Sequence, residues 1–101
     1  MKESRSLLTF DRTLIFFDGC SLIRDFVDEK GNVITFGFML KGRFAWLAEK
    51  KETFFVVNGH AAFIYGDKKV EAFSDSVVVI PSGTEFTVEV TELLDYRCTY
   101  D

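Results

Sequence analysis

The side chains with reactive potential are few and widely spaced. His60 is the single histidine, and Cys20 and Cys98 are the two cysteines. One imidazole among scattered carboxylates cannot furnish the roughly four ligands that hold a transition metal, so no bound metal is expected. A nucleophile–His–acid triad would need His60 as its base. His60 directly follows Gly59 in an expected turn, where an exposed residue is the plain reading. Neither cysteine belongs to a CxxC or metal-spaced cluster. With no export signal ahead of them, both are expected to stay reduced and buried.

Any site must therefore be positioned by the elements around it, and these read as strands. Short stretches rich in Phe, Val, Ile, Thr and Tyr are separated by Gly, Asp, Asn or Lys clusters, and no window sustains helical periodicity. The pattern predicts strands over Leu7–Phe10, Leu14–Phe17, Ser21–Val27, Val33–Leu40, Arg43–Ala48, Thr53–Asn58, His60–Tyr65, Val70–Phe73, Ser76–Ile80, Thr84–Val90 and Tyr96–Tyr100. Breaks at Gly31-Asn32, Lys41-Gly42, Asn58-Gly59, Gly66-Asp67 and Pro81-Ser82-Gly83 carry turn chemistry. Alternation turns Thr84, Phe86, Val88 and Val90 inward and Glu85, Thr87 and Glu89 outward. By the same rule Ile34, Phe36, Phe38 and Leu40 share a face, as do Tyr96, Cys98 and Tyr100, with Arg97 and Thr99 alternating. An unusually aromatic interior follows.

Composition bounds the rest. The chain has 101 residues, 12 of them Phe, and a formal charge of −4. That length suits one domain with one core. The absence of a basic run argues against a nucleic-acid backbone as partner. The apolar runs are too short to span a bilayer as a helix. Residues 1–6 carry charge with no apolar stretch or cleavage site behind them, and are expected to be a flexible extension of a cytoplasmic protein.

Two spacings narrow the barrel type. Six residues lie between Glu52 and Gly59, and five between Asp75 and Pro81-Ser82-Gly83. This resembles the paired signatures of cupins, with Asp75 in place of a Gly. The expected fold is an all-β, single-domain, cupin-like antiparallel β-barrel or jelly roll. The HxH and the third His of metal-binding cupins are replaced by Ala45-Trp46-Leu47-Ala48 and Phe86.

A closer likeness runs from about Phe16 to Tyr100. Gly37-Phe38-Met39, Lys41-Gly42-Arg43-Phe44, Glu52-Thr53-Phe54, Val57-Asn58-Gly59, Ile80-Pro81, Thr84-Glu85-Phe86 and Tyr96-Arg97-Cys98-Thr99-Tyr100 occur in one order. Together they resemble the pyrimidine/purine nucleoside phosphorylase family of small cupin proteins. That family's pattern reads G-V-M-x-x-G-E-Y, P-E-x-M, V-x-x-G, V-P-x-x-S-x-F and Y-x-C-x-Y. This chain departs from it at Lys51 for the Pro, Phe54 for the Met and Thr84 for the Ser. The family's Trp and Ala-Gly before the last barrel strands are also missing, around Lys69 and Ser74-Asp75.

The resemblance implies phosphorolysis of nucleosides of broad specificity, a pentosyl (glycosyl) transfer giving free base and ribose 1-phosphate. It implies inorganic phosphate as co-substrate, and no metal or organic cofactor. Glu52, matching the family's Glu, is the expected catalytic residue, binding ribose hydroxyls or opposing positive charge at the anomeric carbon. Its alternative reading is an exposed loop charge. Thr84 could donate a hydroxyl to phosphate or ribose, or simply begin a strand. Phe44, Phe86 and Tyr96 could stack on a base or pack the core. Arg43 and Arg97 offer the bidentate fork that suits phosphate, although alternation points Arg97 outward. Two other readings stand beside the enzyme: a non-catalytic module that binds a nucleoside, nucleotide or other small metabolite, and a structural protein whose pocket is filled by its own Phe side chains. A homodimer that covers strand edges is expected under all three.

Overall fold

The computed structural model describes residues 7–101, and the expected N-terminal extension lies outside them. The chain forms eight strands: β1 Thr9–Phe16, β2 Ser21–Val27, β3 Val33–Met39, β4 Gly42–Ala48, β5 Glu52–Tyr65, β6 Lys68–Ala72, β7 Val77–Ile80 and β8 Thr84–Tyr100. All pairings are antiparallel. Among the described residues, no helix is long and apolar enough to cross a membrane.

Three pairs of expected strands are single strands. The break around Asp11 is a register slip between Phe10 and Arg12 within β1, not a turn. Asn58-Gly59 is a bulge within β5, and the opposing stretch of β8 from Glu92 to Asp95 slips with it. Gly59 has φ +99°, and a Cβ there would fall on the Leu93 carbonyl, so glycine is required at this crossing.

These slips let β5 and β8 serve two sheets. The first half of β5 and the last half of β8 lie in β1-β2-β3-β8-β5-β7, while their other halves lie in β4-β8-β5-β6. The sheets face each other around a core in which Phe54 meets Phe63, Phe86 and Tyr96 at ring separations of 5.0, 5.7 and 5.5 Å.

Ile34, Phe36 and Phe38 of β3 and Leu40 just after it share a face, and it is the outer one. Thr35, Gly37 and Met39 are buried, and Phe36 and Phe38 lie on the outer side. Two inward positions decide this. Gly37 lies opposite Tyr96, whose ring occupies the space a Cβ would need. Thr35 is held in a buried hydrogen bond to Asp25. The apolar pattern misleads because the outer face is itself apolar: Ile15, Phe38, Phe55, Val77 and Val79 are all exposed there. The interior is nonetheless aromatic, with Phe44, Phe54, Phe63, Phe86 and Tyr96 buried.

Candidate functional site

A cavity of about 290 Å³ lies between the sheets. Phe16, Trp46, Phe54, Phe86 and Tyr96 form its aromatic end, and Glu52, Asp25 and Tyr100 its polar end. Arg12, Asp25, Glu49, Glu52 and Tyr100 also border a vestibule of about 450 Å³ in front of it.

Strand register builds the polar end as a seam. Arg12 of β1 is the direct cross-strand partner of Asp25 in β2, and Asp25 of Thr35 in β3. Glu52 of β5 is the partner of Tyr100 in β8. Arg12 Nε donates to Asp25 Oδ2 at 3.0 Å, and Thr35 Oγ1 donates to Asp25 Oδ1 at 2.6 Å. The Thr35 and Tyr100 hydroxyls are 2.5 Å apart. Thr35 has one proton and gives it to Asp25, so Tyr100 donates to Thr35. Burial pushes the Tyr100 hydroxyl well above the usual phenol range, which keeps that donor protonated.

Glu52 opens β5 and is half-buried. Desolvation pushes its carboxyl up to about 7, with no compensating cation or hydrogen bond among the described residues. Tyr96 and Cys98 are also pushed far up, each first by burial, and the Glu52 carboxylate adds to both.

Of the residues expected from sequence, the structure brings Glu52, Phe86 and Tyr96 together on this cavity. It places the others elsewhere. Arg43 pairs with Glu89 on the exposed face of β4, and Arg97 lies 5.4 Å over the Phe36 ring on the outer face. Strand alternation puts both on the side away from the interior, so neither arginine reaches the cavity. Phe44 packs against Phe17 at 5.0 Å, and Thr84 starts β8 opposite Ala48; neither lines the cavity. Sequence reasoning missed Arg12, Asp25 and Trp46. Trp46 is gripped edge-on by Phe16 and Phe17, and its buried indole N–H has no acceptor among the described residues.

His60 is not an exposed turn residue. It lies in β5, half-buried, bonded to Thr91 through Nδ1 and to Glu71 through Nε2 at 2.8 Å, and stacked on Phe73 at 4.6 Å. It lines neither the cavity nor the vestibule. Cys20 is half-buried and Cys98 buried, and both are free thiols. Among the described residues, no group of three or more His, Cys, Asp and Glu is arranged to hold a metal ion.

Comparison with known proteins places this geometry in context. The family model described as Pyrimidine/purine nucleoside phosphorylase matches residues 12–100. A pyrimidine/purine nucleoside phosphorylase from Clostridioides difficile (strain 630) is 24% identical over 107 aligned residues, covering 99% of this chain and 97% of the relative. One from Colwellia psychrerythraea (strain 34H) is 24% identical, covering 99% and 98%. Among solved structures, a protein of unknown function from Acinetobacter sp. ADP1 superposes with a TM-score of 0.86 at 19% identity, covering 93% of this chain and 94% of that one. An ethanolamine utilization protein from Salmonella typhimurium LT2 superposes with a TM-score of 0.73 at 15% identity, covering 96% and 97%. The fold is cupin-like, as the paired signatures led us to expect.

Proposed function

The chain belongs to the pyrimidine/purine nucleoside phosphorylase family, and from that premise we propose that it cleaves nucleosides by phosphorolysis in the cavity beside Glu52. A phosphate oxygen forms a bond to the anomeric carbon as the carbon–nitrogen bond to the base breaks. The bonding electrons leave with the base, which takes up a proton, and ribose 1-phosphate remains. The reaction as written needs no metal or organic cofactor.

The observation that carries this reading is a half-buried carboxyl set against an aromatic chamber. As a carboxylate, Glu52 accepts hydrogen bonds from ribose hydroxyls and opposes the positive charge that develops at the anomeric carbon. Its poor solvation makes that charge strongly felt. Tyr96, Phe86 and Trp46 wall the base. Stacking on rings suits any base, which is the physical support for broad specificity. The unpartnered Trp46 N–H would be satisfied by a base carbonyl.

The same reading includes a cytoplasmic homodimer, in which a second copy covers the apolar outer face. Asp95 and Arg97 point out side by side from β8 on that face, so a two-fold axis between them would set each against its opposite in the other copy.

The test is release of free base from a panel of purine and pyrimidine nucleosides, with and without inorganic phosphate, for the wild type and Glu52→Ala. Phosphate-dependent release that falls by at least about a hundredfold in the variant is expected. Nucleoside binding with no release from any member of the panel would replace the enzyme by a binding module.

A further inference from the structure

Phosphorolysis needs a cation or donor group at the attacking anion, and Arg43 and Arg97 are both out of reach. Of the positively charged side chains among the described residues, only Arg12 borders both the cavity and its vestibule; Lys50 borders the vestibule alone. A hydrated anion stays at the wet end of such a chamber while an apolar base enters the aromatic end. Arg12 stands at that wet end, with Glu52 at the opposite end of the same seam.

Arg12 is also held. Its side chain is largely exposed, but its partner Asp25 is buried. Asp25 has both oxygens engaged, one by Arg12 Nε and one by Thr35, which is in turn fixed by Tyr100. The contact to Arg12 uses Nε, so the Nη1 and Nη2 end of the fork is not consumed by Asp25. That end is the bidentate donor pair that matches two phosphate oxygens. Anchoring the guanidinium in advance removes part of the ordering cost that a free surface arginine would meet on binding.

We propose that Arg12 is the residue that contacts inorganic phosphate, and that Asp25, Thr35 and Tyr100 are positioning residues acting through it. This rests on the phosphorolysis reading above and adds to it the place of the second substrate. The base lies deep, the ribose lies against Glu52, and phosphate sits on the vestibule side.

The experiment measures KM for phosphate and KM for nucleoside separately, together with calorimetric titration by inorganic phosphate alone. The variants are Arg12→Ala, Arg12→Lys, Asp25→Asn and the Arg12→Ala/Asp25→Asn double, each checked for an intact thermal melt. Arg12→Ala is expected to raise KM for phosphate by about tenfold or more while KM for nucleoside stays within about twofold, with Arg12→Lys recovering part of the loss. Asp25→Asn should raise KM for phosphate less, and the double variant should be no worse than Arg12→Ala alone, because Asp25 acts through Arg12. Wild type that binds phosphate but turns over no nucleoside, with binding lost in Arg12→Ala, would overturn phosphorolysis and support the assignment. Unchanged phosphate KM and binding in Arg12→Ala, or no phosphate binding by the wild type, would overturn the assignment itself.

Discussion

A carboxyl that burial pushes up to about 7 ties folding to pH. In the unfolded chain Glu52 ionises near 4.5. The folded pKa lies above the unfolded one, so the stability linked to the neutral form is fully present below about 4.5. It declines as pH rises through about 7, and then levels off. Glu52→Gln removes that decline. The stability of the variant relative to wild type should therefore improve between pH 5 and pH 8. The gain should be on the order of 1–2 kcal/mol once the solvent reaching the carboxyl is allowed for, read as the shift in urea unfolding free energy. Phe86 and Tyr96 are legible in the sequence because motif spacing and alternation agree there, and Glu52 by motif spacing alone. Arg12 is not: it follows a register slip at Asp11 that hides which way β1 faces, and its partner Asp25 lies in an otherwise ordinary strand. Charge type alone selected Arg43 and Arg97, and charge type does not say which side of a sheet a residue occupies.

At the level of elements, the junction at Gly59 decides the architecture. A left-handed residue between two apolar runs reads locally as a hairpin turn, because a bulge and a turn both require positive φ. Only the partner strand distinguishes them, and that partner lies more than thirty residues away: His60 pairs with Glu92. This is why strand positions were legible while the continuity of β5 and β8 was not. Gly59→Ala must accept both a strained φ and a collision with the Leu93 carbonyl, and β8 would have to move with it. We expect a loss of about 2–4 kcal/mol in denaturant unfolding, opposite in sign to the gain of roughly 0.4–1 kcal/mol that Gly→Ala gives where alanine fits the backbone. A loss below 1 kcal/mol would mean that the bulge is soft.

For the whole molecule, the outward apolar face of β3 matters most. Burying polar Thr35 while Phe36 stays half-buried and Phe38 exposed is unfavourable for an isolated chain, and the apolar band continues over Phe55, Val77 and Val79. A second copy seated there would remove that surface from water. Phe55→Glu, in that band and on the face of β5 opposite the cavity, should turn a dimer into a monomer in light scattering while leaving the thermal melt of the domain cooperative. A monomeric wild type at tens of micromolar would rule the dimer out. The all-β barrel itself was legible from turn spacing and Phe-rich alternation, whereas the orientation of an apolar strand with apolar residues on both sides was fixed by Gly37 and Thr35, whose roles appear only when Tyr96 and Asp25 are brought beside them.

Because β5 and β8 each run through both sheets, parting these two strands breaks both sheets at once. The backbone amides along the shared ladder from Glu52 to Ile64 are coupled to a single opening event, so their slow exchange with deuterium would report the stability of the entire chain, while β1, bound on one edge only, frays on its own clock.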